Sequence, residues 1–377
     1  MLKIRMHKAD NGDCVSIETD CDFILIDGGT AQSFDEWKEQ VIGRIDKIDS
    51  IIVTHIDNDH INGMIKLLTH PDCPSVEQVY FNGAEQLFGQ LDEYAQEDRR
   101  TELKLLALSE ECSIINNKEH IGYSEGTSLS YVLSSKRIKC NAVVSGGALY
   151  REICDSFEIG ALKFTLISPV KNSLSELKRI WEDKLKERNV NPRIISKPYY
   201  DAFEQYTSNL KESISNNHQI TAIKQSSIEA LANTAFDDDD SPTNRSSFSF
   251  LIESDGKRIL YLGDCNAEAV TSWLDQYGQE KIKVDIVKIS HHGSKNNTSL
   301  ALLRRLDSPK YLVSTNGNSH GHPDLETLAR IVLVNSGSET EILLNYELET
   351  IPSWFVAELT ANYPSIKLLM NSCEVVL

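Results

Sequence analysis

The stretch Ile51 to Gly63, IIVTHIDNDHING, decides how the rest of the chain is read. Its first four residues, Ile51, Ile52, Val53 and Thr54, are all β-branched and give the pattern of a buried strand that breaks off into a polar turn. His55, Asp57, Asp59 and His60 follow within six positions. Side chains alternate along a strand and swing round in the turn after it, so two imidazoles and two carboxylates at this spacing can converge on cations. A polar loop after a strand is the plain alternative, and the remaining chain must decide between them.

Composition narrows the classes. A chain of 377 residues with 40% hydrophobic content can bury one large core or two modest ones, and no run approaches the length of a membrane span. The N-terminal MLKIRMHKADNGDC turns polar within a few residues and offers no apolar signal region, so a cytoplasmic protein is expected. Eight cysteines are scattered without a C-x-x-C pair, which argues against a disulfide framework and a cysteine zinc site. A net charge of −18 opposes non-specific adhesion to nucleic acid or anionic lipid. Membrane partners are not expected, and nucleic acid could be met only by a local basic patch.

Upstream of the opening stretch, Leu2 to Met6 and Cys14 to Thr19 read as a hairpin about the turn Asn11-Gly12-Asp13. Phe23 to Ile26 is a further strand, ending in Asp27-Gly28-Gly29, and a helical segment follows around Phe34 to Ile42. Downstream, a helix is expected from Asn62 to Leu68, a strand from Val76 to Asn82 and amphipathic helix from Ala84 to about Cys112. Phe157 to Pro169 reads as two short strands about a glycine turn. Residues 171–243 break the rhythm and read as an insertion, helical at Leu174, Leu177, Ile180, Trp181 and Leu185, then a disordered acidic loop. Its end, Asp237 to Asp240 before Ser241-Pro242, lacks the glycine and ligand spacing of a calcium loop and is expected to be solvated.

Four more elements follow in order. Thr243-Asn244-Arg245-Ser246-Ser247 precedes the strand Phe248 to Ile252, and Ile259 to Leu262 arrives at Gly263-Asp264. A strand over Ile282 to Ser290 leads to His291-His292-Gly293-Ser294, and one over Tyr311 to Ser314 leads to NGNSHGHP at Asn316 to Pro323, with a helix from Asp324. Together with the D-G-G turn and the H-x-D-x-D-H stretch, this order resembles the metallo-β-lactamase superfamily. The nearest variants are those with Asp as second ligand: the hydrolase domains of competence-type (ComEC-like) DNA-uptake proteins and the phosphorylcholine esterases.

The resemblance implies an α/β fold, the αββα sandwich of one metallo-β-lactamase-like domain over 1–377, with the insertion within it. It implies metal ligands His55, Asp57, Asp59, His60, Asp264, His291 and His322, and catalytic duty for Asp59, Asp264 and His292. One cation would be held by His55, Asp57 and His291 or His292, the other by Asp59, His60 and His322, with Asp264 shared. Of the paired histidines, His291 is preferred as ligand. Asn244, Ser247, Ser294 and Lys295 would lie beside substrate. The G-H-T histidine of the wider superfamily has no counterpart, since His70, His120 and His218 stand in other surroundings, and His320 is read as a surface residue. Two divalent cations are expected, zinc first and manganese as the alternative, both suiting mixed imidazole and carboxylate donors.

The function implied is hydrolysis of a phosphodiester by a nuclease-like dinuclear site. A small-ester hydrolase and a metal-binding regulatory protein with a silent site are the alternatives, because this fold serves many chemistries. Lys295, Arg304, Arg305 and Lys310 form a basic island that would serve a phosphate or merely cover a surface helix.

Overall fold

A computed structural model describes residues 1–89, 91, 98–116, 127–210, 227–278, 280–319 and 321–377. His120, His218 and His320 lie outside these. Among the described residues, six strands form one sheet in the order Glu374–Val376, Lys3–Met6, Val15–Glu18, Phe23–Ile26, Ser50–Ile52, Val79–Tyr80. Eight form a second: Ile366–Leu369, Thr340–Leu344, Lys310–Val313, Ile286–Lys288, Lys257–Tyr261, Ser249–Ser254, Leu162–Ser168, Ser156–Ile159, and two small two-stranded sheets lie outside these.

Strands such as Phe23-Ile24-Leu25-Ile26 are apolar at every position because both faces are covered. Ile24 and Ile26 join Ile4, Ile17 and Ile52 against Phe164, Leu166, Phe250, Ile252 and Tyr261 of the other sheet, while Phe23 and Leu25 face helices. The same alternation puts Leu251, Leu260 and Val287 on the outer side of the second sheet, under helices Ala267–Gln276, Leu300–Arg304, Leu325–Val334 and Ser353–Asn362. Helix, sheet, sheet, helix is the layering of the metallo-β-lactamase fold.

Parallel pairing aligns the ends that matter. Phe23–Ile26 runs parallel to Ser50–Ile52, and Lys257–Tyr261, Ile286–Lys288 and Lys310–Val313 run parallel to one another. Their C-terminal ends release Asp27, His55, Asp264, His291 and Ser314. The two sheets are tied at this end, where Phe248 N donates to Thr54 O at 2.9 Å and Ser314 Oγ to Gly12 O at 3.1 Å. The Asn11-Gly12-Asp13 turn therefore belongs to the junction. A side chain at Gly12 would overlap the Asp59 carbonyl, its Cβ falling 1.8 Å from that oxygen.

Several elements differ from the expectations. The helix after the metal-ligand stretch spans Asn58–Thr69, so Asp59 and His60 occupy its first turn and not a loop. Carboxylates are favoured at the positive end of a helix, which suits an early start with Asp57 as N-cap and Asp59 in the first turn. The segment expected as one helix over Ala84 to Cys112 divides into Ala84–Phe88 and Arg99–Asn116. The strand expected over Ile282 to Ser290 shortens to Ile286–Lys288, with Ile282–Lys283 pairing elsewhere. Among the described residues no helix is long and apolar enough to cross a membrane.

Residues 171–243 carry the helix Lys171–Glu187, as expected, and a second long helix, Lys197–Ser208. Leu177, Trp181, Tyr199 and Phe203 join the same core cluster as Trp37, Leu67 and Leu105. Lys197–Ser208 also caps Leu129–Ser135: Asp201 accepts from Ser128 N at 3.1 Å, and Glu204 from Leu129 N at 2.7 Å and Ser130 N at 2.8 Å. Nor is the acidic run wholly solvated. Asp237 and Asp240 are exposed, but Asp238 accepts from Ala267 N and Glu268 N at 3.0 Å, and Asp239 accepts from Asn244 Nδ2 and Asn297 Nδ2. Like charges are tolerated because two of the four face donors and two face water.

Burial pushes the Glu204 carboxyl from 4.5 up to about 7, against the pull of its backbone donors. A carboxyl whose pKa rises on folding binds protons more tightly in the folded chain, so its contribution is full below 4.5 and fades as pH passes about 7. The wild type should lose stability relative to Glu204→Gln across that interval. Denaturant midpoints measured for both proteins through the range check this, and parallel pH profiles would refute it.

Candidate metal centre

Asp264 is fully buried at the end of Lys257–Tyr261, its N–H donating to Ser247 Oγ at 3.0 Å. Four imidazoles surround one of its oxygens. Oδ2 lies 3.4 Å from His60 Nε2, 3.7 Å from His55 Nε2, 3.8 Å from His292 Nε2 and 3.9 Å from His291 Nε2. Around this centre, His55 Nε2 is 3.0 Å from Asp57 Oδ2, and His292 Nε2 is 3.4 Å from Asp59 Oδ2.

The opposite ring nitrogens are all held by protein. His60 Nδ1 is 2.9 Å from Asp27 Oδ2, His55 Nδ1 2.9 Å from Thr54 Oγ1, His292 Nδ1 3.1 Å from Ser314 O and His291 Nδ1 3.0 Å from Asn297 Oδ1. With Nδ1 engaged, each ring is turned so that Nε2 points at Asp264, the arrangement that prepares histidine as a metal ligand. Thr54 further donates its N–H and hydroxyl to the Asp27 carboxylate at 2.7 and 2.8 Å.

These positions fit cations. Two atoms each about 2.1 Å from one ion at the tetrahedral angle lie about 3.4 Å apart, longer than an ordinary hydrogen bond. The His60–Asp264 and His292–Asp59 separations have that length. Nε2 of His60 and of His292 are buried and make no hydrogen bond among the described residues. Burial would push the His60 pKa down, but the charges of Asp264, Asp27 and Asp59 outweigh it and hold it well above 6.5. For His292, Asp264 and Asp13 likewise outweigh burial and raise it to about 9. Asp264 is the converse: burial would raise its pKa, yet the four imidazoles, His60 first, hold it well below the usual range. The negative charge at this point asks for cations, and protons stand in for them.

Among the described residues three groups could hold an ion: His55, His60 and Asp264; Asp59, His60 and His292; and Asp13, Asp27 and His60. Asp57 adjoins the first through His55. His291 is the more accessible of the pair, its side chain 15% exposed against 4% for His292. Both have positive φ, 47° and 54°, as does Gly293 at 89°, where a Cβ would lie 2.6 Å from that of Pro323. His322 sits against the His291 ring, centroids 5.5 Å apart, with Nδ1 3.4 Å from Asp324 Oδ2.

Of the residues expected beside substrate, Asn244, Ser247 and Ser294 are buried and bonded within the protein, Ser294 Oγ accepting from Asn296 N at 3.2 Å. Lys295 is partly exposed and pairs with Glu326 at 3.3 Å. The basic island is largely neutralised, since Arg305 pairs with Asp275 and Lys310 with Glu341. Lys310 also opens the strand whose far end leads to the site, about 10 Å away.

Sequence reading noted Asp27 only as part of the D-G-G turn and did not find Asp13, Thr54, Asp239 and Asn297 as supports of the site. Asp13 pairs with the buried Lys288 ammonium and lies 3.6 Å from His292 Nδ1. A lysine in an otherwise apolar strand was the available signal for a buried partner.

The family model described as the metallo-beta-lactamase superfamily matches residues 7–81, which include Asp27 and the H-x-D-x-D-H stretch. Over those residues it agrees with the layering above. Comparison with curated proteins gives no match. Among solved structures the chain is similar to a diphosphatase from the PhnP family, at 11% identity over 100% of this chain and 97% of that one, TM-score 0.41. It is also similar to zinc-bound PqqB from Methylobacterium extorquens, at 11% identity over 100% of both chains, TM-score 0.41. Human tRNase Z, short form, shares 10% identity over 99% and 98%, TM-score 0.35. Likenesses this distant leave the function to be argued from the chain's own residues.

Asp27→Asn should keep the fold, since asparagine tolerates the positive φ of 57° at this position. It should lower metal affinity by about 10–100-fold by loosening His60. Zinc titration against a chromophoric chelator measures the change, and unaltered affinity would show that Asp27 does not orient the ligand.

Proposed function

We propose that this chain is a metal-dependent hydrolase with a dinuclear centre, acting on a phosphodiester. The observation that carries the reading is the buried Asp264 carboxylate with four imidazole Nε2 atoms 3.4–3.9 Å from one of its oxygens. We assign His55, Asp57 and His291 to one cation, Asp59, His60 and His292 to the other, and Asp264 to both. His322, the ligand expected beside Asp59 and His60, is assigned a supporting place against the His291 ring. Zinc is the first choice of metal and manganese the second.

Two divalent cations held there would polarise a substrate oxygen and lower the pKa of a water from 15.7 toward about 7. The chain's own part is to hold the ligands in place, exclude water beneath them and leave the His291 side open. No side-chain nucleophile is needed. Cys265, next to Asp264, is buried and its thiol is pushed up to about 12, so it supplies no thiolate near neutral pH. Eight free cysteines agree with a reducing, cytoplasmic setting.

The order of motifs draws the reading toward the competence-type nuclease-like domains. The paired state of Lys295, Arg305 and Lys310 draws the substrate toward small size, because a polymer would need a positive track to offset a net charge of −18. Short diesters should therefore be cleaved about as readily as long nucleic acid.

The test is a panel of bis-p-nitrophenyl phosphate, cyclic dinucleotides, DNA and RNA with zinc- or manganese-loaded protein. Chelation should abolish turnover, added metal should restore it, and cysteine alkylation should leave it intact. Lactone or thioester turnover without cleavage of any diester would overturn the substrate class. His292→Ala should reduce bound metal from two ions to one, whereas His322→Ala should retain both; metal analysis of the purified variants decides, and the reverse result would exchange the two residues. Asp264→Asn should weaken both positions together.

A further inference from the structure

The acidic run that ends the insertion reaches the metal centre through one carboxylate. Asp239 N donates to Asn296 O at 2.9 Å, and Asp239 Oδ1 accepts from Ser241 N at 2.9 Å. Its Oδ2 accepts from Asn244 Nδ2 at 2.5 Å and Asn297 Nδ2 at 3.0 Å, and lies 3.4 Å from His291 Nδ1.

Asn297 is 1% exposed, and its amide nitrogen is ringed by acceptors: Asp239 Oδ2 at 3.0 Å, the Asp264 carbonyl at 3.2 Å and the Cys265 carbonyl at 3.3 Å. An amide with three acceptors about one polar atom can be oriented only with its NH2 among them. Its Oδ1 is thereby fixed 3.0 Å from His291 Nδ1. The donor Asn244 Nδ2 lies farther from Nδ1, at 3.4 Å, and is directed at Asp239 Oδ2 at 2.5 Å. The Asn297 oxygen only accepts, so Nδ1 carries the proton and Nε2 is left as the nitrogen facing Asp264.

We propose that Asp239 is a positioning residue which, through Asn297, fixes the tautomer and direction of His291. The end of the insertion is thus a working part of the site. The inference rests on the metal-centre reading above, in which His291 is a ligand. A neighbouring contact acts in the same sense: Asp238 accepts from Ala267 N and Glu268 N, pinning the helix that follows Asp264. Adjacent residues therefore hold the two loops that deliver Asp264 and His291.

The experiment uses the full chain and zinc, titrated against a chromophoric chelator. Asp239→Ala should weaken one of the two bound ions about 10–100-fold, the scale of lost outer-shell support, and leave the other unchanged. Asn297→Ala should give the same one-site loss, and the double variant should lose no more than either single, because the residues act in series. Asp239→Asn should recover most of the affinity, since its amide oxygen still accepts from Asn297. A merely structural role would instead weaken both sites together and lower the metal-free Tm; that result, additive losses or unchanged affinity would overturn the proposal. Long-range imidazole 15N spectra of metal-free wild type provide a readout that needs no variant and no bound zinc. His291 protonated at Nδ1 is expected, and an Nδ1 without a proton would overturn the inference. A wild-type chain that takes up no zinc would defeat the metal-centre reading, while the tautomer measurement would still decide the role of Asp239.

Discussion

A carboxylate with no exposed surface, Asp264, sets the terms for everything around it. Moving such a charge out of water costs several kcal/mol unless opposite charge and hydrogen bonds offset it. Backbone alone cannot supply that offset at the end of a strand. Four imidazoles do, and each is in turn held by an acceptor behind it: Asp27 for His60, Thr54 for His55, the Ser314 carbonyl for His292, Asn297 for His291. Beneath them the buried Lys288–Asp13 pair adds a second charge-compensated layer. The whole end of the sandwich is a nested set of charges, and it persists only because each member has partners on more than one side.

That nesting requires the two sheets to meet closely at one end. The first sheet delivers Asp27, His55, Asp57, Asp59 and His60, while the second delivers Asp264, His291 and His292. Gly12 lets a loop of the first sheet lie on the Asp59 carbonyl, and Gly293 lets the His291-His292 turn lie on Pro323. Left-handed backbone at His291 and His292 is costly for non-glycine residues, of order 1 kcal/mol or more each, and is sustained where surrounding contacts over-determine it. Here the contacts are the four-imidazole arrangement itself.

Much of this was legible in the chain. The H-x-D-x-D-H spacing is local: one strand end and one helix start place its four side chains within a few ångströms, so their convergence depends on little else. The apolar strands and the order D-G-G, G-D, H-H-G-S, G-H-P announced the layered fold because strands covered on both faces leave no polar position. The basic island misled, since counting lysines and arginines says nothing of Glu326, Asp275 and Glu341, which approach from other elements. The aspartate run misled for the same reason, because its donors, Asn244, Asn297, Ala267 and Glu268, lie up to 58 residues away.

By itself, then, the sequence determined the fold class, the strands that end at the site and the residue types gathered there. These follow from periodicity and short spacing, which are properties of a few consecutive residues. Only the tertiary structure decided which imidazole faces which carboxylate, that His292 stands opposite Asp59, and that Asp13, Asp27 and Asp239 lie against the site's side chains. Those choices are made by distances between elements 33 to 279 positions apart in the chain, from Asp27 to His60 at 33 to Asp13 to His292 at 279. Nothing in local sequence fixes such distances; the packing of two sheets against each other does.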